Sequence, residues 1–334
     1  MNPATDFSWL PVTKLNNGAD LRLPLHVVEG RKPGPTLGLS GMLHGNEPAP
    51  SLAIIRAVLE RLDPAELSGR VMAVPVCNPL GAGALSRHTP IDGMNMNSAF
   101  CEPEEGGYVQ PVKSVTEEIA DVLTEGFLRE LDYQIDFHCG GGGVSAHMVE
   151  FADHPDALAM ARAFNMRILL RDEWGSCQMW GMSERLGVTL IVAECGGGEE
   201  LHREWVDRGV RGTFNVMRSL GMLPGEPDRL DRQYVVDNTS GHHHNLTILR
   251  PREAGLIVPE PAASAAASFA GAPVQDVELL GQLVSPYDLA VRQTFGAPFR
   301  HTLLLAAVVA PAWKQPGEIA YILADAEEAQ VLGR

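Results

Sequence analysis

The feature that most constrains the fold is an alternation of short apolar runs with amphipathic segments across residues 35–220. The run PTLGLSGM at 35–42 is bounded by proline and glycine, which is typical of a buried strand. The next segment, 49–62, carries apolar residues at three- and four-residue intervals, which predicts an amphipathic helix. Strands that alternate with helices in this way predict an α/β fold. Its sheet is mostly parallel, partly mixed, with helices on both faces.

The same alternation continues along the chain. Pro48 stands just inside the start of the first helix, where proline is tolerated. Ser114 and Glu117 form a candidate capping box at the start of another helix. The periodicity predicts further strands at 69–79, 132–138, 166–171 and 187–195, and further helices at 114–131, 155–164 and 199–220.

The pattern changes after about residue 225, where short apolar runs are separated by glycine and proline. This texture is typical of a small β-rich domain. We therefore expect a main α/β domain over 1–225 and a β-rich C-terminal domain over 226–334. The alanine-rich segment 261–273 is compatible with an exposed loop or a short helix, and we favour the loop.

Charge, hydropathy and cysteine usage exclude several classes of protein. The formal net charge of −16 argues against nucleic acid as the main partner, because a phosphate backbone selects basic surfaces. No apolar run approaches the ~20 residues of a membrane helix, and the N-terminus lacks the pattern of a signal peptide. We therefore expect a cytoplasmic protein. Its five cysteines are widely spaced without a C-x-x-C motif, which predicts free thiols.

Polar residues gather at the predicted carboxyl ends of three strands. The first strand leads to His44 and Glu47, another ends at His138, and a third ends at Glu194. Because chemistry collects at the carboxyl edge of parallel strands, we expect these side chains to lie close together. Glycines follow His138 and Glu194, and they allow a substrate to approach the backbone closely.

These residue types fit a catalytic zinc site, for which two histidines and one carboxylate are a common ligand set. Zinc lowers the pKa of a water molecule and polarises a carbonyl oxygen. We predict that His44, Glu47 and His138 bind one zinc ion per chain. A separate carboxylate must move the proton of that water, and we assign this role to Glu194. Taken singly, each of the three predicted ligands has a structural alternative: a polar turn for His44, a helix-start acid for Glu47, or a pair with Asp136 for His138. Glu194 is harder to explain in this way, because an acid that closes an apolar run needs a buried partner or a function.

At these motifs the sequence resembles the succinylglutamate desuccinylase/aspartoacylase family, zinc amide hydrolases related to the metallocarboxypeptidases. The family's H-G-N-E motif stands at 44–47, its D-x-H motif at 136–138 and its E-x-G motif at 194–196. The resemblance covers nearly the whole chain. It implies a zinc carboxypeptidase-like fold, a C-terminal β-domain and hydrolysis of an amide bond.

An intermediate stretch, NPLGAGALSR, is similar to the family's Asn-Pro turn that is followed by an arginine. It begins at Asn78 and ends at Arg87. The resemblance implies that Arg87 stabilises the oxyanion formed when water attacks the amide carbonyl. A guanidinium suits this role because it is always charged and donates several hydrogen bonds.

One departure from the family pattern concerns the substrate. The family's D-x-N-R-x-F stands here as NMNSAF, in which Asn97 remains, Asn95 replaces the acid and Ser98 replaces the arginine. Serine cannot make the bidentate, charge-assisted bond to a carboxylate that arginine makes. Either another arginine serves (Arg185, with Arg171 less favoured), or the substrate lacks a carboxylate there. We predict substrate contacts at Asn95, Asn97, Ser98 and Arg185.

We therefore predict a zinc-dependent deacylase that cleaves a non-peptide amide bond of a small N-acylated compound. Neither nucleic acid nor a membrane is an expected partner. The sequence is compatible with a homo-oligomer and does not determine the oligomeric state. The alternatives are a metallocarboxypeptidase or esterase that uses the same site, and a non-catalytic metal- or ligand-binding protein. Ser98 disfavours the carboxypeptidase, which must grip a free carboxylate. The presence of both Glu47 and Glu194 favours an enzyme over a binding protein.

Two further groups of residues resemble metal ligands without fitting the site. Three adjacent histidines in GHHHN at 241–245 cannot all face one ion on an extended chain, and we interpret this tract as a loop. Cys139 and Cys195 follow His138 and Glu194 directly. In an extended strand they point to the opposite face, which predicts core packing.

Overall fold

The computed structural model describes residues 5–47, 49–101, 113–197, 202–239, 246–269, 274–275 and 278–333. Within these ranges the chain has a mixed α/β architecture with an additional, smaller β-sheet, which confirms the predicted fold class. The strands, in chain order, are β1 Asp6–Lys14, β2 Asp20–Glu29, β3 Lys32–Gly41, β4 Ser68–Val74, β5 Tyr133–Gly140, β6 Val144–Phe151, β7 Ile168–Arg171, β8 Thr189–Gly197, β9 Arg232–Asp237, β10 Leu246–Leu249, β11 Gly255–Pro259, β12 Val274–Gln275, β13 Leu279–Val284, β14 Val291–Gly296, β15 His301–Val308, β16 Ala312–Lys314, β17 Tyr321–Asp325 and β18 Gln330–Gly333. The helices are α1 Ala49–Arg61, α2 Pro79–Ala84, α3 Val115–Gly126, α4 Pro155–Phe164, α5 Met179–Arg185, α6 Arg203–Ser219 and α7 Pro261–Phe269.

The chain forms two compact units, each assembled from several segments. The first unit comprises Met1–His138, Trp174–Val192 and Thr213–Pro227, and the second comprises Cys139–Glu173, Ala193–Gly212 and Asp228–Arg334. Strands β5 and β8 and helix α6 contribute residues to both units. One border between the units lies close to the predicted domain boundary, and the division at residue 225 stays a prediction.

The sheet of the first unit has the strand order β1-β2-β4-β3-β5. Strands β1, β2 and β4 pair antiparallel, whereas β3 pairs in parallel with both β4 and β5. In the β3–β5 ladder Gly41 lies opposite Phe137. Because the strands are parallel and in this register, the residues that follow β3 emerge at the same edge as His138.

Helix α3 illustrates how local sequence signals build the first unit. The Ser114 side chain accepts a hydrogen bond from the Glu117 backbone amide, and the Glu117 side chain accepts one from the Ser114 amide. The predicted capping box is therefore confirmed. One face of the helix buries Ile119 and Leu123 in the core of the unit. Each such leucine or isoleucine stabilises the fold by about 1.5–3 kcal/mol relative to an exposed side chain.

A disulfide corrects the expectation that all five cysteines are free. Cys101 and Cys177, separated by 76 positions, form a disulfide within the first unit. Cys77, Cys139 and Cys195 are buried free thiols. The pairing joins two loops that only the tertiary fold brings together, and no local spacing motif accompanies it.

The second unit is rich in antiparallel β-structure. One run of strands has the order β6-β15-β17-β10, and β6 also pairs in parallel with β7. A separate four-stranded sheet has the order β14-β13-β11-β16. Between these strands lies an apolar core that includes Ile257, Leu283, Phe295 and Tyr321. The predicted β-rich texture of the C-terminal part is thus observed.

The alanine-rich segment corrects the favoured loop interpretation. Residues 261–269 form helix α7, and residues 270–273 lie outside the described residues. Alanine has the highest intrinsic helix propensity, and Pro261 occupies the first helical position, where it costs no hydrogen bond. Among the described residues, no helix is both long enough and apolar enough to cross a membrane.

Candidate active site

The H-G-N-E motif forms a tight turn directly after β3. The Glu47 amide donates to the His44 carbonyl over 3.3 Å, and the Gly45 amide donates to the Ser86 carbonyl over 3.0 Å. A Cβ atom on Gly45 would lie 1.9 Å from the carbonyl carbon of Gly81. Only glycine therefore fits between the turn and helix α2.

The turn and strand β5 bring together the three side chains that the sequence predicts as metal ligands. Nδ1 of His44 lies 2.8 Å from one carboxylate oxygen of Glu47, and Nδ1 of His138 lies 2.9 Å from the other. One ligand atom from each residue lies within 4.8 Å of those of the other two. All three side chains are buried. The group can hold a metal ion, and its donor set is one that zinc prefers.

The protonation of this group follows from its mutual contacts. Burial raises the pKa of Glu47, but the charges and hydrogen bonds of His44 and His138 outweigh burial and hold that pKa well below its usual range. Burial lowers the pKa of His44. Burial also opposes the charge of His138, yet the carboxylates of Asp136 and Glu47 raise the pKa of His138 above its ordinary value. Glu47 is therefore an anion, which is the form that binds a cation.

The outer nitrogen of His138 is held by a fully buried carboxylate. Nε2 of His138 lies 2.8 Å from an oxygen of Asp136, and the indole N–H of Trp180 donates to that same oxygen over 2.7 Å. The Ser40 hydroxyl donates to the other carboxylate oxygen over 2.7 Å. The pair of His138 with Asp136 thus exists, and it leaves Nδ1 directed toward Glu47. A carboxylate on the outer nitrogen is a common support for a metal-binding histidine.

The Asn-Pro turn places Arg87 beside the carboxylate of Glu47. The Asn78 side chain accepts from the Gly81 amide over 2.9 Å and donates to the Thr89 hydroxyl over 3.1 Å, which caps helix α2. Nη1 of Arg87 lies 3.2 Å from Oε1 of Glu47, and the Arg87 side chain is about half exposed. One end of this guanidinium contacts the group while the rest faces solvent.

The NMNSAF segment forms a short 3-10 turn over Met96–Ser98. The Asn95 side chain caps this turn by accepting from the Asn97 amide. Asn97 is buried, and its side-chain oxygen accepts from the Met179 amide over 3.3 Å, whereas Ser98 is exposed. No hydrogen bond between described residues joins this turn to the three converging side chains. The substrate contacts predicted for Asn95, Asn97 and Ser98 stay predictions.

In the structure Arg185 contacts the backbone of two loops. Its guanidinium donates to the backbone carbonyls of Ser176 and Phe100. These carbonyls belong to the two loops that the Cys101–Cys177 disulfide joins. Arg185 therefore ties the loops together, and a contact with substrate stays a prediction. In the second unit, the alternative residue Arg171 pairs with Asp237 and Asp153 at 3.0 and 3.3 Å.

Glu194 lies in the second unit, half-buried on strand β8. Gly196 has a φ of +86°, and a Cβ atom there would lie 2.5 Å from the Trp205 ring. This close approach explains the glycine of the E-x-G motif. Burial, followed by the charge of Glu194, raises the pKa of the Cys195 thiol, in agreement with core packing. Cys139 is buried too. The catalytic role of Glu194 stays a prediction, and the GHHHN tract and Pro48 lie outside the described residues.

The catalytic-domain profile of succinylglutamate desuccinylase/aspartoacylase proteins matches residues 33–220. The chain belongs to this family. A curated relative, the N-alpha-acetyl-L-2,4-diaminobutyric acid deacetylase of Halomonas elongata, is 30% identical over 213 residues. The match covers 61% of this chain and 60% of that relative, so the chain spans about three fifths of the relative's length.

Solved structures of related proteins share the fold. A succinylglutamate desuccinylase/aspartoacylase from Rhodobacter sphaeroides has a TM-score of 0.76 at 21% identity and covers 96% of each chain. The product-bound ectoine utilization protein EutE (DoeB) from Ruegeria pomeroyi has a TM-score of 0.75 at 24% identity, covering 96% of this chain and 94% of its own. These likenesses confirm the fold of the family along nearly the whole chain.

Proposed function

We propose that this family member is a zinc-dependent deacylase that hydrolyses the amide bond of a small N-acylated compound. The observation that carries the proposal is the buried convergence of His44, Glu47 and His138 within 4.8 Å. Two histidines, which bind a metal in their neutral form and release any extra proton as the ion binds, and a carboxylate suit Zn²⁺ and leave coordination positions for a water molecule and a substrate oxygen. We expect one zinc ion per chain.

Each proposed step assigns a role to a side chain of this chain. Bound zinc supplies a Lewis acid that polarises the amide carbonyl and lowers the pKa of water. Glu194 accepts the proton of the attacking water and passes it to the leaving amine. Arg87 donates hydrogen bonds to the oxyanion that develops on the carbonyl oxygen. Its half-exposed guanidinium, anchored at one end by Glu47, leaves donors for that contact.

The proposed substrate is an N-acylated amine or amino acid. The name of the Halomonas elongata relative specifies an N-acetylated diamino acid, which makes N-acetyl amino acids the first compounds to test. The Asn97 amide and the Ser98 hydroxyl would bind a neutral group of the substrate, because neither can form the ion pair that a carboxylate favours. We therefore expect neutral N-acyl amines, or substrates whose carboxylate lies elsewhere, to react faster than succinylated ones.

The decisive experiment replaces Glu194 with glutamine in zinc-loaded protein. We expect Glu194→Gln to bind zinc as the wild type does and to lose hydrolysis, because an amide cannot accept the proton of water. Glu150→Gln is the matched control, since Glu150 is also a strand carboxylate of the second unit. Metal content and turnover of N-acetyl amino acids and neutral N-acyl amines are measured together.

Three results would contradict the proposal. Hydrolysis retained by Glu194→Gln would refute the role of that residue. Wild-type protein that binds zinc but turns over no compound of the library would favour a non-catalytic binding protein. Wild-type protein that binds no zinc, with His138→Ala no different from it, would refute the metal site itself.

A further inference from the structure

A chain of hydrogen bonds runs through the interior of the first unit toward the proposed metal site. The Ser183 hydroxyl of helix α5 donates to Oε1 of Gln134 over 2.8 Å. Nε2 of Gln134 donates to the Ser40 hydroxyl over 2.9 Å, and that hydroxyl donates to Oδ1 of Asp136 over 2.7 Å. All four side chains have 0% exposure. Buried polar groups of this kind are costly unless each is satisfied.

The direction of this chain follows from the number of available hydrogens. A serine hydroxyl carries one hydrogen, so Ser40 can donate to Asp136 only while it accepts from Gln134. A flipped Gln134 amide would present its oxygen to Ser40 and take that hydrogen away from Asp136. The observed direction is favoured because a hydrogen bond to a charged carboxylate is stronger than one to an amide oxygen. In this direction the Ser183 hydroxyl donates to Oε1 of Gln134 over 2.8 Å, which is the shorter of its two contacts; the other acceptor within reach is the Met179 carbonyl of its own helix, at 3.1 Å.

The far end of the chain fixes the carboxylate that holds His138. Oδ1 of Asp136 accepts from Ser40, while Oδ2 contacts Nε2 of His138 and accepts from the Trp180 indole. With both oxygens engaged, the carboxylate cannot rotate freely. Nε2 of His44, by contrast, is buried without a hydrogen-bond partner among the described residues. The orientation of the two imidazoles is therefore supported mainly from the His138 side.

We propose that Ser40, Gln134 and Ser183 are positioning residues for His138. They hold Asp136, and Asp136 keeps the proton of His138 on Nε2 and its Nδ1 directed at the proposed zinc site. The inference rests on the proposed function for the identity of the metal. The hydrogen bonds on which it is based join protein atoms only and do not depend on which metal binds.

The test compares Ser40→Ala and Ser183→Ala with a matched control. Each variant removes one oxygen from the chain of hydrogen bonds. Thr124→Val is the control, because the Thr124 hydroxyl is also buried in a helix of the same unit and bonds the Ala120 carbonyl over 2.8 Å, without contacting Asp136. Ser183→Thr keeps the hydroxyl and serves as the rescue variant.

Two readouts separate positioning from a general loss of structure. In metal-loaded protein, Zn²⁺ affinity is measured by competition with a chelator, and the coordination geometry by the visible spectrum of the Co²⁺ form. We expect both alanine variants to weaken Zn²⁺ binding by about 10–100-fold and to shift the Co²⁺ bands. In metal-free protein, nitrogen-edited NMR follows the Nε2 proton of His138, which should exchange faster with solvent in both variants.

Thr124→Val and Ser183→Thr should resemble the wild type in every readout. If an alanine variant does not fold, Gln134→Met, which keeps the chain length and removes both polar ends, takes its place. Wild-type Zn²⁺ affinity together with an unchanged Nε2 proton in the variants would overturn the inference. Wild-type protein that binds no Zn²⁺ would refute the proposed function instead, and the metal-free NMR measurement would still decide the positioning role.

Discussion

The effect of removing the Cys101–Cys177 disulfide on stability can be predicted from the positions of the two cysteines in the chain. It links the loop after the NMNSAF turn to the loop before helix α5. The same two loops are joined by the hydrogen bond from the Phe100 amide to the Cys177 carbonyl and by the contact of Asn97 with the Met179 amide. We expect removal of the disulfide to lower stability and to loosen the turn that carries Asn97.

The size of the stability effect follows from the length of the closed loop. With a separation of 76 residues, the chain-entropy description gives about 4.5 kcal/mol at 25 °C. For a chain of 334 residues, this corresponds to a fall in Tm of roughly 5–10 °C. Because the turn at Asn97 is only loosened, we expect KM to rise more than kcat falls.

The assay uses Cys101→Ser, with the wild type in oxidising and in reducing buffer. Thiol titration of the denatured, non-reduced wild type should find three free thiols per chain, from Cys77, Cys139 and Cys195. A reductant should lower the Tm of the wild type and leave that of Cys101→Ser unchanged. Five thiols per chain, or equal Tm values for wild type and variant in oxidising buffer, would refute the reasoning.

Three further predictions concern the site and its supports. The pKa of Glu47 is held below its usual range in the folded protein, so its carboxylate should stabilise the metal-free fold above about pH 5. This stabilisation should fade as the pH falls through about 4.3, the ordinary pKa of glutamate, and below. Glu47→Gln should therefore make the stability of the protein less dependent on pH in acid-denaturation curves over this range. Gly196→Ala should destabilise by about 1–3 kcal/mol in urea melts, whereas Gly187→Ala, equally left-handed but with nothing within 4 Å of the added Cβ, should cost less. Arg87→Gln should lower kcat by about 10²–10³-fold in steady-state assays, and the exposed control Arg56→Gln should not.

Much of the fold was predictable because its signals are local. The capping box of α3, the apolar face of α1 and the short apolar run of β3 each depend on residues within one element. Strands β1, β2 and β6 escaped prediction. The exposed edge strand β1 has no clean apolar alternation, and β6, buried on both faces, includes a serine, a histidine and a glutamate. The antiparallel pairs of β1 with β2 and of β2 with β4 form part of the mixed sheet that the fold class anticipates.

The three converging side chains were predictable because parallel strands carry their chain ends to one edge. The disulfide and the loop contacts of Arg185 were not, because both depend on two loops that are distant in sequence. The spacing of residues within one segment of the sequence does not indicate that two distant loops come into contact. The motif comparison indicated where the substrate turn departs from the family, but only the structure shows that the Asn97 oxygen is already used by a backbone amide.

The hydrogen bonds that hold His138 through Asp136 were partly predictable from the sequence. In the segment QIDFH, Gln134, Asp136 and His138 alternate with apolar residues, so all three lie on one face of strand β5. Polar residues at every second position of a strand without exposed faces predict a buried polar row that must find partners. The missing information is the register of the neighbouring strand, which sets Ser40 opposite Asp136. One pairing contact, added to the sequence, would therefore have been enough to place the serine on the carboxylate and to extend the predicted site beyond its metal ligands.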